Sequence, residues 1–195
     1  MSSPLRLAAL LAVLLFSAAA LGGPVAPVRV AIATDLGDIQ LELYPDKAPK
    51  TVENFVSYVN RYFYDGMIFH RVIKGFVIQS GGHGYDLSAK EPGEPIVNES
   101  ANGLRNRRGT IAMARHSDPD SARAQFFINL GDNPSLDPKG DQPGYTVFGK
   151  VVEGMKVVDA IGRRRTRALD KFEDLPVEPV QILKARVIPT EGAAP

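Results

Sequence analysis

The sequence contains no cysteine and no tryptophan among its 195 residues, and its charge is balanced, with 23 Lys and Arg against 22 Asp and Glu. Without Cys there is no disulfide framework, thiolate nucleophile, zinc-thiolate site or iron-sulfur cluster. A formal net charge of +1 leaves no positive excess to set along a phosphate backbone, so nucleic acid is not expected as a partner. Long apolar runs are missing after the N-terminus: no later segment reaches the roughly 20 apolar residues of a membrane-spanning helix. What is present is one domain's length of chain, 44% hydrophobic, with 18 Gly and 15 Pro spread rather than clustered. That is too apolar for a disordered chain, and it suits many short elements joined by turns better than a helical bundle.

Residues 1–20 depart from this average. Met1 to Arg6 carries one positive charge, Leu7 to Phe16 is apolar throughout, and Ala18, Ala19 and Ala20 supply the small side chains a signal peptidase requires. The run is short for a membrane anchor and breaks up at Gly22, Gly23 and Pro24. An export signal over 1–20 is expected, with cleavage after Ala20 or as late as Ala26. The mature protein is expected outside the cytoplasm, in the periplasm or, where the host has no outer membrane, secreted, without stable membrane association. Cleavage after Ala20 removes Arg6, the one charged residue of the leader, and takes the net charge from +1 to zero.

The mature chain over 27–190 reads as a single domain, followed by a frayed tail at 191–195. Val28, Val30, Ile32 and Thr34 alternate with Arg29, Ala31 and Ala33, and Ile39, Leu41 and Leu43 alternate with Gln40 and Glu42, which predicts a hairpin turning at Asp35–Asp38. Asp46 is placed to cap a helix with Pro49 in its first turn and Val52, Phe55, Val56 and Val59 on one face. Short apolar runs follow at 68–73, 76–79, 110–114, 126–130, 147–152 and 180–188, and a second helix is predicted over Glu153–Ile161 with Gly162 as its stop. Strands outnumber helices without the regular alternation that a parallel sheet demands. The expected fold class is mainly β: a closed antiparallel β-barrel of about eight strands, capped by two α-helices.

Two stretches carry chemistry. In Phe69-His70-Arg71-Val72-Ile73 a strand sets a cation among apolar neighbours, so Arg71 must be ion-paired or sit at a rim where a ligand completes its hydrogen bonds. Gln125-Phe126-Phe127-Ile128-Asn129 is apolar on both faces; one fills the core and the other must be covered or line an apolar pocket. Other motifs fall away. His70, His83 and His116 lack metal-ligand spacing, so no metal is expected. Ile78 stands where a nucleophile elbow at Ser80 would need Gly. Ala122 and Arg123 spoil a calcium loop at Asp118 and Asp120. Arg163-Arg164-Arg165-Thr166-Arg167 is most simply a solvated loop.

Taken together these segments resemble the cyclophilins, the peptidyl-prolyl cis-trans isomerases, and in particular their exported bacterial branch. The resemblance runs from Thr34-Asp35-Leu36-Gly37-Asp38-Ile39 to the last strand. It is carried by Phe69 to Ile73 with Gly75-Phe76 and Gln79, by Asn98-Glu99 with Asn102-Gly103-Leu104, by Gly109 to Ala114, by Gln125 to Asn129, and by Val147 to Val151. It implies that Arg71 is the catalytic residue and that Phe76, Val77, Phe127 and Leu136 form a proline pocket with Tyr145 at its edge. It further implies that Gln79, Ala114, Arg115 and Gln125 line the groove for the substrate backbone. The implied function is isomerisation of X-Pro bonds during folding of exported proteins, on proline-containing unfolded or folding polypeptides, by a monomer with no cofactor. A proline-peptide-binding holdase or assembly partner with little turnover is the alternative; retention of Arg71 with Phe76, Gln79 and Phe127 favours the enzyme. The sequence departs from the family pattern at Val77 (commonly Met), Ser135 (often Trp), Tyr145 (often His), Arg115 (commonly Asn) and Lys74 (frequently Pro). The second and third of these go with weak cyclosporin binding in the family.

Overall fold

A computed structural model describes residues 25–189. The expected leader over 1–20 and tail at 191–195 lie outside the described residues. The first two strands, β1 (Val28–Thr34) and β2 (Gly37–Leu43), form the predicted hairpin, with Val30 opposite Leu41 and Ile32 opposite Ile39 on the buried face. The Thr34 hydroxyl accepts from Leu36 N–H and donates to the Gly37 carbonyl, closing the turn.

Helix α1 (Pro49–Asn60) follows, with Val52, Phe55 and Val59 buried as its spacing predicts and Pro49 at its start. The cap differs from expectation. Ala48, not Asp46, occupies the N-cap and offers no side-chain bond. The carboxylate of Glu99 takes the N–H groups of Lys50 (3.1 Å) and Thr51 (2.8 Å) instead. A remote acid thus meets both the orphan donors and the positive end of the helix, and ties the 90–100 loop to it.

The remaining elements are β3 (Arg71–Ile73), β4 (Val77–Ser80), β5 (Thr110–Met113), β6 (Phe126–Asn129), β7 (Val147–Glu153), α2 (Met155–Gly162), β8 (Thr166–Leu169), β9 (Phe172–Pro176) and β10 (Ile182–Ile188). Helix α2 starts two residues later than predicted, and Gly162 is its last residue. Gly154 adopts φ 89°, and a Cβ there would fall 2.2 Å from the Asp38 carbonyl oxygen, so the chain turns off β7 at the one residue type that fits.

Eight strands form one antiparallel sheet in the order β10-β1-β2-β7-β5-β6-β4-β3. Its edge strands β3 and β10 are not joined by a ladder. The seam is closed just ahead of β3 and at the start of β10: Gly66 N–H donates to the Ile182 carbonyl (2.8 Å), Ile182 N–H to the Met67 carbonyl (2.7 Å) and Phe69 N–H to the Val180 carbonyl (2.9 Å). Inside, Phe55 of α1 meets Phe126 edge-on at 5.4 Å and lies 5.1 Å from Tyr64 and 5.2 Å from Phe148, so α1 fills the interior with aromatic area. Helix α2 packs against β2, β3 and β4. One element was not expected: β8 and β9 pair into a separate two-stranded hairpin, and Thr166 and Arg167 belong to it rather than to a solvated loop.

Candidate active site

Strand β6 shows how the site arises. Phe126 and Ile128 point into the main core, while Phe127 points to the other side of the sheet. There it packs with Val77, Ala112 and Val147 in a second apolar cluster, to which the half-buried Phe76, Leu104, Ala114, Leu136 and Tyr145 belong. The two-faced apolarity of this strand therefore has two destinations: the core and a pocket on the outer wall. Phe76, Val77, Phe127, Leu136 and Tyr145 are brought together as the sequence implies. Ala112, Val147 and Leu104 join them unannounced, because small and β-branched residues in short strands carry no mark of which face they serve.

Register links this pocket to Arg71. Arg71 pairs with Gln79, Gln79 with Phe127, Phe127 with Ala112 and Ala112 with Val147, a single row across five strands. Arg71 and Phe127 thus stand two strands apart, about 10 Å. Arg71 Nη1 donates to Gln79 Oε1 (3.3 Å), and Gln79 Nε2 donates to Gln125 Oε1 (2.8 Å), so the Gln79 amide is turned with its oxygen toward the guanidinium. From β9, Asp174 Oδ2 stands 3.7 Å from Arg71 Nε. Both sequence alternatives for Arg71 are therefore met in part: it is ion-paired, and 43% of its side chain remains exposed at the rim.

Gln125 is held closely. The buried Tyr64 hydroxyl donates to the Ala124 carbonyl (2.9 Å). Gly81, at φ 88°, passes so near that a Cβ would lie 2.7 Å from that same carbonyl, and one on Gly82 would lie 2.7 Å from Gln125 Nε2. Gln79, Ala114, Arg115 and Gln125 line one recess of about 290 Å³ beside the apolar cluster. Apolar pocket, polar recess and guanidinium are thus contiguous, which is what a proline and its flanking backbone require.

Residues 29–187 match the family model described as "Cyclophilin type peptidyl-prolyl cis-trans isomerase/CLD". The chain belongs to the cyclophilin family. It is 48% identical over 182 residues to the "Peptidyl-prolyl cis-trans isomerase" of Acinetobacter baylyi, covering 93% of this chain and 95% of that one. It is 49% identical over 156 residues to "Peptidyl-prolyl cis-trans isomerase B" of Escherichia coli, covering 78% and 95%. Among solved structures, a Cryptosporidium parvum cyclophilin in the presence of the dipeptide Ala-Pro superposes with TM-score 0.69 at 28% identity, covering 83% of this chain and 99% of that one. The protein is a peptidyl-prolyl cis-trans isomerase.

Further contacts brace the pocket from its edge and from behind. The Arg115 guanidinium, at the edge of the recess, reaches the chain at Pro143, donating to the Pro143 carbonyl (2.9 Å) and lying 4.8 Å from the centre of the Tyr145 ring. Tyr145 in turn meets Phe127 edge-on at 5.6 Å, so Arg115 braces the pocket's edge. Behind the pocket, Asn133 Nδ2 donates to the Phe76 carbonyl (3.0 Å) and to Asn129 Oδ1 (2.7 Å). Asn129 Nδ2 continues to Asn106 Oδ1 (3.2 Å), and Asn106 reaches Asp137 beside Leu136. This satisfied network fixes the segments carrying Phe76 and Leu136. Asn129, fully buried in an otherwise apolar strand, was its one visible sign.

Asp174 was missed altogether, since a lone acid in an unpredicted hairpin has no pattern. His70 is neutral at physiological pH. Burial, followed by the nearby His83, lowers its pKa to about 4.

Proposed function

We propose that Arg71 is the catalytic group of this isomerase and that it acts on X-Pro bonds of exported proteins. An X-Pro bond resists rotation by about 18 to 20 kcal/mol because the nitrogen lone pair is delocalised into the carbonyl. With the ring held among Phe76, Val77, Phe127, Leu136 and Tyr145, and the preceding backbone against Gln79, Ala114, Arg115 and Gln125, one side of the bond is clamped while the other turns. A guanidinium N–H directed at the prolyl nitrogen stabilises the twisted state, in which the lone pair is localised, and does little for either planar isomer.

Uncatalysed isomerisation takes about 10 to 100 s, so reaching milliseconds means a gain of about 10⁴, or about 5.5 kcal/mol. One charge-assisted hydrogen bond plus orientation is of that size. The reaction as written uses no nucleophile and no net proton transfer.

The observation that carries this reading is the row Arg71, Gln79, Phe127: a tethered guanidinium with donors unused among the described residues, beside a pocket for an apolar ring. A protease-coupled assay on a short X-Pro peptide tests it. The enzyme reading predicts a rate gain that disappears in Arg71→Ala; peptide bound without any gain in the wild type would leave a proline-binding module in its place. The export reading rests on residues 1–20. It predicts a mature N-terminus after Ala20, Gly23 or Ala26 in the extracytoplasmic fraction; an intact Met1 in the cytoplasmic fraction would refute it.

A further inference from the structure

We infer that Asp174 is a positioning residue for Arg71, and that the β8–β9 hairpin exists in the site to deliver it. The inference rests on the catalytic reading of Arg71 given above.

Arg71 lies on β3, the edge of the eight-stranded sheet, so strand register supplies it with a neighbour on one side only. That neighbour, Gln79, takes a single N–H through Nη1. One such contact leaves the plane of the fork free to swing about the bonds leading to it. A carboxylate charge beside Nε biases that plane, because Nε and Nη1 belong to one rigid planar group. Asp174 stands at that place, 3.7 Å from Nε on the open side of β3. At this distance the pair is loose, and Nη2 has no hydrogen-bond partner among the described residues. Nη2 is the donor such an anchorage would leave for substrate.

Asp174 is itself fixed from three directions. Leu175, the next residue, is buried at 2% exposure. Phe172, two residues earlier and so on the same face of β9, meets the His83 ring edge-on at 4.8 Å and also faces His70 at 6.4 Å. On the other strand of the hairpin, Arg167 pairs with Leu175. The hairpin is therefore seated by apolar and aromatic contacts, and it needs no ion pair to stay in place.

The Asp174 side chain is 31% exposed, whereas Glu178, paired with Arg164 on the same excursion of chain, is 78% exposed. The Asp174 carboxylate is thus the better screened from water of the two acids, although its pair with Arg71 is the longer. Between the hairpin and Arg71 lies a recess of about 300 Å³ lined by Asp174, Phe172 and His83, room for the guanidinium to swing into once its tether is cut.

The test is kcat and KM for Asp174→Ala and Asp174→Asn, each in the wild-type and Arg71→Lys backgrounds, with thermal melts alongside. Asp174→Ala should lower kcat about fivefold to tenfold with KM within about twofold, since orientation in the transition state is lost and ground-state binding is not. Asp174→Asn, which keeps the shape but not the charge, should lose kcat to within about twofold of Asp174→Ala, since at 3.7 Å the contact is between charges. In Arg71→Lys, which has no Nε, Asp174→Ala should cost less than about twofold, the non-additivity of a shared role. A wild-type kcat in Asp174→Ala, a KM effect alone, or an equal loss in both backgrounds would overturn the inference. Activity surviving Arg71→Ala would overturn the catalytic reading itself, which separates the two failures.

Discussion

On one side Arg71 meets a wall of hydrogen-bonded strands, β4, β6 and β5, whose register sets Gln79, Phe127 and Ala112 in line with it. On the other it meets β9, which lies against β3 without a backbone ladder and offers a carboxylate on a hairpin seated by Phe172 and Leu175. In the proposed mechanism the wall makes the pocket and binds the ring, whereas of the site residues the hairpin touches only the Arg71 guanidinium. A site built this way separates binding from turnover, because damage to the wall should raise KM and damage to the hairpin should lower kcat.

The sharpest break in that comparison is Arg71→Ala, which removes the group both regions serve. It should cost about 100-fold or more in kcat/KM in the coupled assay, as loss of a transition-state donor does elsewhere. On the wall, Phe127→Ala should lower kcat/KM about 10-fold to 30-fold, mainly through KM, since the ring loses its largest apolar contact. A drop in kcat with unchanged KM would mean that the wall and the hairpin do not divide the work as described.

These two regions also differ in what the sequence disclosed. Phe127 stood out because its strand is apolar at consecutive positions, and Arg71 because a cation sat among apolar neighbours; both are local patterns that strand geometry converts into positions. The β1–β2 hairpin and α1 were legible for the same reason, as alternation and helical spacing. Asp174, the hairpin that carries it and the Glu99 cap of α1 depend on contacts between residues far apart in the chain, to which local periodicity is blind. The expected closed barrel was right in strand number and curl. Its seam is three backbone bonds rather than a ladder, a detail no single strand encodes.

His70, beneath the hairpin and against His83, sharpens the comparison through pH. Its unfolded pKa is about 6.5 and its folded pKa about 4, so between these values the unfolded chain binds a proton that the folded chain refuses. Stability should therefore fall as pH drops from about 6.5 to 4, by about 3 kcal/mol at most, and level off below. His83, also lowered by its burial, adds in the same direction. Denaturant unfolding of His70→Gln across this range should show a flatter profile; an unchanged slope would remove His70 as the cause. The smallest effect is expected at Arg115, whose side chain braces Tyr145 at the edge of the recess. Arg115→Ala should change kcat/KM by less than about threefold, and a loss as large as that of Phe127→Ala would make its side chain a direct holder of substrate.

The most direct test of the account is exchange NMR on an X-Pro peptide bound to Arg71→Ala, which reads affinity and on-enzyme isomerisation separately. If the wall binds and Arg71 acts only in the twisted state, peptide affinity stays within about threefold of wild type while bound-state exchange slows by about 100-fold. Bound-state exchange at the wild-type rate would contradict it.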